Sequence, residues 1–261
     1  MENNGTKSIC FIMKEIMLPF LISLIAGLST LIGYLFIYLK PSKTSDFIGT
    51  SLAFSMTIMM IISITDLIPE GFFYLKGEYN IILAILILII TMIVGYILNR
   101  IISKKINESK KEKGSLYKLG VLSMIALMLH NLPEGILTFL SSSIDIKIGL
   151  KYSIAIILHN IPEGIAIAIP IYYSTRSKWK AFSNTLISGL SEPLGAVLAY
   201  VFLYKYMSNT LISIILLLTA SIMISISIND IFKETEKYNK YSVTKGIILG
   251  MIIGFITFIL T

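Results

Sequence analysis

Eight long apolar stretches set the terms for this chain of 261 residues: Met17–Leu39, Phe47–Ile68, Ile81–Leu98, Leu119–Leu140, Ile148–Ile171, Ala181–Leu203, Thr210–Phe232 and the shorter Gly246–Leu260. A helix needs about 20 mostly apolar residues to cross the hydrocarbon core of a bilayer. Inside that core the backbone finds no water, so only helices and closed barrels satisfy its polar groups. The alternation of a barrel strand is absent here, which predicts an all-α membrane protein with eight transmembrane helices. Charged residues make up only 14% of the chain, against about 25% in a soluble domain. The first stretch is too long, and begins too far in, for a cleaved signal peptide. Residues 1–261 therefore read as one integral membrane domain. The longest hydrophilic stretch, 99–118, reads as a solvated loop between the third and fourth spans.

The net charge of +7 would suggest nucleic acid in a soluble protein. Here the cations fall between the spans, where they set orientation instead. The segments joining spans 1–2, 3–4, 5–6 and 7–8 hold 16 Lys and Arg, and the N-terminus with the other three segments holds 6. The first set is expected in the cytoplasm, which places both termini outside a multi-pass protein of the plasma membrane. The single cysteine, Cys10, excludes an intramolecular disulfide and a thiolate cluster. Lys outnumbers Arg 20 to 2, a composition that points to an AT-rich bacterial genome.

Both histidines lie in one phrase that occurs twice, His130-Asn131-Leu132-Pro133-Glu134-Gly135 and His159-Asn160-Ile161-Pro162-Glu163-Gly164. Ionisable groups at membrane depth are expensive and usually functional. Residues i and i+4 share a helix face, so His130 aligns with Glu134 and His159 with Glu163. Spans 4 and 5 are joined by a short segment and run antiparallel, so the two faces can oppose each other. Span 6 adds Glu192, and the three glutamates are each 29 residues apart. Imidazole with carboxylate suits Zn²⁺, Fe²⁺, Mn²⁺ or Cd²⁺. Met59 of span 2 is either a soft ligand or apolar filling. Asn131, Asn160 and the glutamates could hold a second, harder ion beside the first. A purely structural His–Glu cluster is the bland alternative, but buried ion pairs contribute little net stability, and packing alone does not require the phrase twice.

Pro133, Pro162 and Pro193 leave the carbonyls of Leu129, Leu158 and Gly189 without helical partners, which predicts three kinks at the ligand level. Unpaired carbonyls at this depth belong in protein or against a wet cavity. Gly135, Gly164, Gly189 and Gly195 allow the helices to approach closely there. A second repeat relates spans 2 and 7, with Ser63-Ile64-Thr65-Asp66 and Ser227-Ile228-Asn229-Asp230 offset by 164. Their opposite directions suggest inverted repeats, helices 1–3 and 6–8, in a 3+2+3 arrangement around helices 4 and 5, a common plan of transporters. The repeat puts Asp66 and Glu70 at one mouth and Asp230 and Glu234 at the other. These acids either attract cations or are ordinary solvated helix ends.

These residues resemble the ZIP (Zrt/Irt-like protein) family of divalent metal transporters, in a bacterial-type form. The matching phrases are HNLPEG at 130–135, HNIPEGIAIA at 159–168 and SGLSEPLGA at 188–196, with weaker matches at 58–70 and 222–230. The resemblance implies Zn²⁺ or a similar ion moving into the cytoplasm, with no cofactor beyond the transported metal. It implies ligands at His130, Asn131, Glu134, His159, Asn160, Glu163 and Glu192, with Met59 less central. It also implies a block of helices 1, 4, 5 and 6 sliding against helices 2, 3, 7 and 8, and a homodimer. The chain departs from the family in lacking a long His-rich loop, and in carrying Asn229-Asp230 and Lys233 where a Glu-rich, Pro-containing end is usual.

The reading is thus a metal transporter working by alternating access, and not an enzyme. The rivals are an intramembrane zinc-dependent hydrolase and a metal sensor. A hydrolase keeps three ligands and an open water position, and this chain has no HExxH and too many donors. Metal binding requires neutral imidazole, so uptake should weaken as pH falls through about 6.5. Vesicle uptake that stays flat or rises on acidification contradicts this, unless a proton gradient drives the step.

Overall fold

The computed structural model describes residues 16–39, 41–109, 114–203 and 208–260. Cys10, the N-terminal segment expected outside and residues 110–113 of the 99–118 stretch lie outside the described residues. Eight helices are long and apolar enough to cross a membrane: α1 (Leu18–Tyr38), α2 (Thr44–Glu78), α3 (Ile81–Ser109), α4 (Ser115–Ile144), α5 (Ile146–Thr175), α6 (Lys178–Phe202), α7 (Asn209–Thr235) and α8 (Lys240–Leu260). All eight match the apolar stretches in order, and no strand is found among the described residues.

The ends differ from expectation. The 99–118 stretch, expected as a loop, is helical through Ser109 and again from Ser115. Helix α2 likewise continues past its apolar stretch to Glu78. Hydropathy reports the hydrocarbon boundary, and a helix already nucleated propagates beyond it at little cost. Local signals set the true ends. The Asn80 side chain accepts from Leu83 N at the start of α3, and Ser177 and Ser208 cap α6 and α7 in the same way. Arg176 takes a left-handed conformation (φ 55°) that stops α5. One residue, Asp145, separates α4 from α5, ending one in extended backbone and capping the other through Lys147 N. So short a link forces the two helices to lie antiparallel side by side.

The three prolines sit in different local settings. Helices α4 and α5 stay helical across Pro133 and Pro162, while α6 is interrupted at Leu190, three residues before Pro193. Helices α2 and α7 widen instead into π turns at Ser63–Leu67 and Ser227–Ile231, again offset by 164. Such turns insert a residue and are frequent at functional sites.

Only 17% of the apolar window of α3 is buried, against 76% for α5, so α5 is central and α3 faces lipid. The inner helices meet backbone to backbone. A Cβ on Gly27 of α1 would overlap the Gly189 carbonyl of α6, and one on Gly189 would overlap that of Gly27. On α1 and α5, Gly33 abuts Ile161 O and Gly164 abuts Thr30 O. On α6 and α4, Gly195 abuts Leu132 O and Gly135 abuts Glu192 O. These contacts correspond residue for residue. Offsets of 162 relate α1 to α6, and 29 relate α4 to α5. Pairing of α2 with α8 and α5 is matched by pairing of α7 with α3 and α4. A phrase that sequence reading passed over, Gly27-Leu28-Ser29 with Gly33 against Gly189-Leu190-Ser191 with Gly195, carries the match.

Gly135→Ala should therefore lower stability by about 1–3 kcal/mol, the usual cost of overpacking. Gly77→Ala, with nothing within 4 Å, should be neutral or stabilising. Thermal unfolding in detergent distinguishes them, and equal midpoints would refute the close-approach account.

Candidate metal centre

The repeated phrase places His130, Asn131 and Glu134 on α4 and His159, Asn160 and Glu163 on α5, and all six are buried. His130 Nε2 lies 3.1 Å from Glu134 Oε1 and 3.0 Å from Glu163 Oε1. His159 Nε2 lies 2.8 Å from Glu134 Oε1. One carboxylate oxygen thus touches both imidazoles, whose ring centroids are 6.1 Å apart. Ligand atoms of His130, Glu134 and His159 all fall within 4.8 Å of one another. Atoms bound to Zn²⁺ stand about 2 Å from the ion, so small side-chain rotations suffice to close this set on a cation.

Asn160 ties the cluster to two more helices. Its Nδ2 donates to Ala26 O of α1 (2.8 Å) and to Glu192 Oε2 of α6 (3.0 Å). The side-chain amide of Asn131 approaches Glu163 Oε2 at 3.1 Å and Leu127 O at 2.7 Å, and it hydrogen-bonds to both when its nitrogen faces them. Among the described residues, His130 Nδ1, Glu134 Oε2, Asn160 Oδ1 and Glu192 Oε1 are buried without a hydrogen-bond partner. Each such atom costs about 1–3 kcal/mol unless something satisfies it. Imidazole and carboxylate atoms brought together as in His130, Glu134 and His159 are what a dehydrated cation requires. Met59 is buried among apolar neighbours in the cluster that contains Leu127, Ile62 and Ile165. It is not one of the three residues whose ligand atoms converge.

A cavity of about 670 Å³ leads down to this centre. Glu134 and His159 line it together with Leu137, Ile156 and Ile212, and so do Asp66 and Glu70. Glu70 accepts from Tyr152 OH of α5 (2.9 Å), and Asp66 accepts from Thr65 Oγ1 (3.2 Å). The acids at the other end are placed differently. Glu234 is buried and paired with Lys237 Nζ (2.6 Å), and it accepts from Ser115 Oγ of α4 (3.3 Å). Asp230 is half-buried beside Asn99 of α3. Between α7 and α8, burial and then the Glu234 carboxylate push the Tyr238 phenol up to about 12, so it stays protonated.

Apolar helices enclosing a His/Glu centre at the foot of a cavity define a membrane carrier of metal ions. Residues 103–261 match the ZIP Zinc transporter family. The chain is 35% identical to the zinc transporter ZupT of Streptococcus mutans over 95% of this chain and 98% of that protein. It is 35% identical to ZupT of Oceanobacillus iheyensis, over 92% and 96% of the two chains, and 30% identical to ZupT of Clostridium perfringens, over 95% and 97%. The chain belongs to the ZIP family of metal transporters, and the hydrolase alternative falls with that assignment.

Sequence reading missed Tyr152, whose phenol meets Glu70, and Ser55 of α2, whose hydroxyl donates to Pro162 O (2.7 Å) beside the centre. Neither carries a signal by itself, because partners 82 and 107 residues away are set only by packing.

Glu134→Ala removes the oxygen shared by both imidazoles and should abolish Zn²⁺ binding measured by calorimetry in micelles. Asn160→Ala leaves the shared oxygen in place while freeing Glu192 and Ala26 O, and should weaken binding by about 10–100-fold. Equal losses would show that the shared oxygen is not decisive.

Proposed function

We propose that this ZIP transporter carries divalent transition-metal cations, Zn²⁺ foremost and Fe²⁺, Mn²⁺ or Cd²⁺ as alternatives, into the cytoplasm by alternating access. The observation that carries the reading is the buried His130–Glu134–His159 convergence at the foot of a cavity. The donor set is His130, Asn131, Glu134, His159, Asn160, Glu163 and Glu192, with Met59 less central. Zn²⁺ accepts mixed imidazole and carboxylate ligands in a tetrahedral set, and Zn²⁺ is the cargo named for the ZupT relatives. A second, harder ion beside the first would draw on Asn131, Asn160 and the glutamates.

Asp66 and Glu70 line the cavity, where they concentrate cations from outside. The cation then trades its water for the donors below. Asp230 and Glu234 serve the cytoplasmic mouth when that side opens. The matched contacts of α1 with α6 and of α4 with α5 support a 3+2+3 arrangement of inverted repeats, with α1, α4, α5 and α6 moving as a block. The excess of Lys and Arg between alternate helices favours outward-facing termini in the plasma membrane, a cytoplasmic 99–118 segment and a single domain over residues 1–261. The lipid-exposed α3 and α8 leave room for a homodimer.

Competitive uptake of Zn²⁺, Fe²⁺, Mn²⁺ and Cd²⁺ into proteoliposomes tests this reading. Wild type should accumulate Zn²⁺ most readily, and Glu163→Ala should cut the rate at least tenfold, as loss of a charged ligand does. Ion accumulation unaffected by Glu163→Ala would overturn the site assignment.

A further inference from the structure

The cavity reaches Glu134 and His159 from the end that carries Asp66 and Glu70. At the opposite end the helices that carry the donors are fastened to their neighbours, and this fastening rests on specific atoms. Ser115, in the first turn of α4, donates to Glu234 Oε1 of α7 (3.3 Å). Lys237, just past α7, donates to Glu234 Oε2 (2.6 Å) and to Ser115 Oγ (2.8 Å). The three side chains close a triangle. Glu234 is 6% exposed and Lys237 is about half exposed. At the same end Phe47 of α2 packs edge-on against Tyr173 of α5, with ring centroids 6.2 Å apart. Thus α7 holds α4 while α2 holds α5.

We propose that the Ser115–Lys237–Glu234 triangle is the latch that keeps the end opposite the cavity shut. Its members suit a contact that forms and breaks. A carboxylate that is buried when paired and a lysine that is half in water gain charge-assisted hydrogen bonds on closing, yet the exposed partner keeps the net strength small. The pair also explains Lys237 in a protein that moves cations. While the latch is closed the lysine neutralises Glu234, and when it opens the carboxylate is freed as α4 draws away. The cavity end has a counterpart in Glu70, which accepts from Tyr152 of α5. There the partner is a neutral phenol, and the contact is made with the cavity present, so it does not hold that end shut. The proposal rests on the alternating-access reading and adds to it which contact sets the resting side.

Accessibility of single cysteines tests it without any transported metal. Cys10→Ser gives a cysteine-free background. Ser123→Cys reports on the closed side. Ser123 is fully buried with its hydroxyl unpartnered, and it lies seven residues before His130 on the same face of α4. Ser141→Cys reports on the cavity, which it lines. Each probe is combined with Ser115→Ala and with Lys237→Met, so that one variant remains should the other not fold. Breaking the latch should raise the rate at which a polar maleimide labels Ser123→Cys about tenfold, while labelling of Ser141→Cys does not rise. No rise at Ser123→Cys overturns the latch. A rise at both probes also overturns it, because it shows a loosened bundle in place of a shifted equilibrium. Either negative result leaves the transport reading standing if wild-type proteoliposomes still accumulate Zn²⁺, and that reading fails separately if they do not.

Discussion

A carboxylate oxygen held within 3.1 Å of two imidazoles, in a bundle surrounded by lipid, is the constraint from which the rest of this molecule follows. Charge in such a place is costly unless it is paired and its remaining lone pairs are used. The surroundings of Glu134 answer only part of that demand. Among the described residues, polar atoms of His130, Glu134, Asn160 and Glu192 stay buried without a hydrogen-bond partner in the protein. A protein selected for stability alone would replace them with apolar side chains of similar volume. A divalent cation, the cargo of a ZIP transporter, is one partner that nitrogen and oxygen donors can share.

Bringing His130, Glu134 and His159 of two helices together, with Glu192 of a third bonded to Asn160 beside them, requires helix axes closer than ordinary side chains permit. Glycines at matched positions supply that closeness, with α1 against α5 and α6 against α4, and with α1 against α6 across the middle. Without a hydrophobic drive between helices in lipid, such small-residue contacts are the usual means of association. The donors lie one or two residues from these contacts: Glu134 precedes Gly135, Glu163 precedes Gly164, and Glu192 offers its own carbonyl to Gly135. The packing that holds the bundle together therefore also fixes the geometry of the centre.

Much of this was legible in the chain. Eight apolar stretches gave eight helices in the right order, because hydropathy at this length has few other outcomes. The twin His-x-x-x-Glu phrases placed four donors on facing helices, because the one-residue link at Asp145 left α4 and α5 no other arrangement. Helix ends were less legible, as the helical run of α3 to Ser109 shows, since the helix outlasts the apolar run. So was the response to proline. Pro133 and Pro162 leave their helices continuous, and the break falls at Leu190 of α6, a choice made by neighbouring helices. The pairing of Glu234 with Lys237 could have been suspected from their i, i+3 spacing, but the part played by Ser115 could not.

The inequality of the two halves is as informative as their likeness. Thr30 of α1 stands where α6 has Glu192, 162 residues on. Thr30 turns its hydroxyl to Gly27 O (2.8 Å), while Glu192 accepts from Asn160. So α4 and α5 offer the centre the same donors, but only one flank adds a carboxylate. Asp66 opens on the cavity above His159, whereas its counterpart Asp230 lies beside Asn99, which donates to Ser225 Oγ (2.9 Å). With fully identical halves, the centre would present the same face to both sides of the membrane. The substitution of threonine for glutamate, and the pairing of Glu234 with Lys237 where Glu70 accepts from the Tyr152 phenol, give the two approaches different electrostatics.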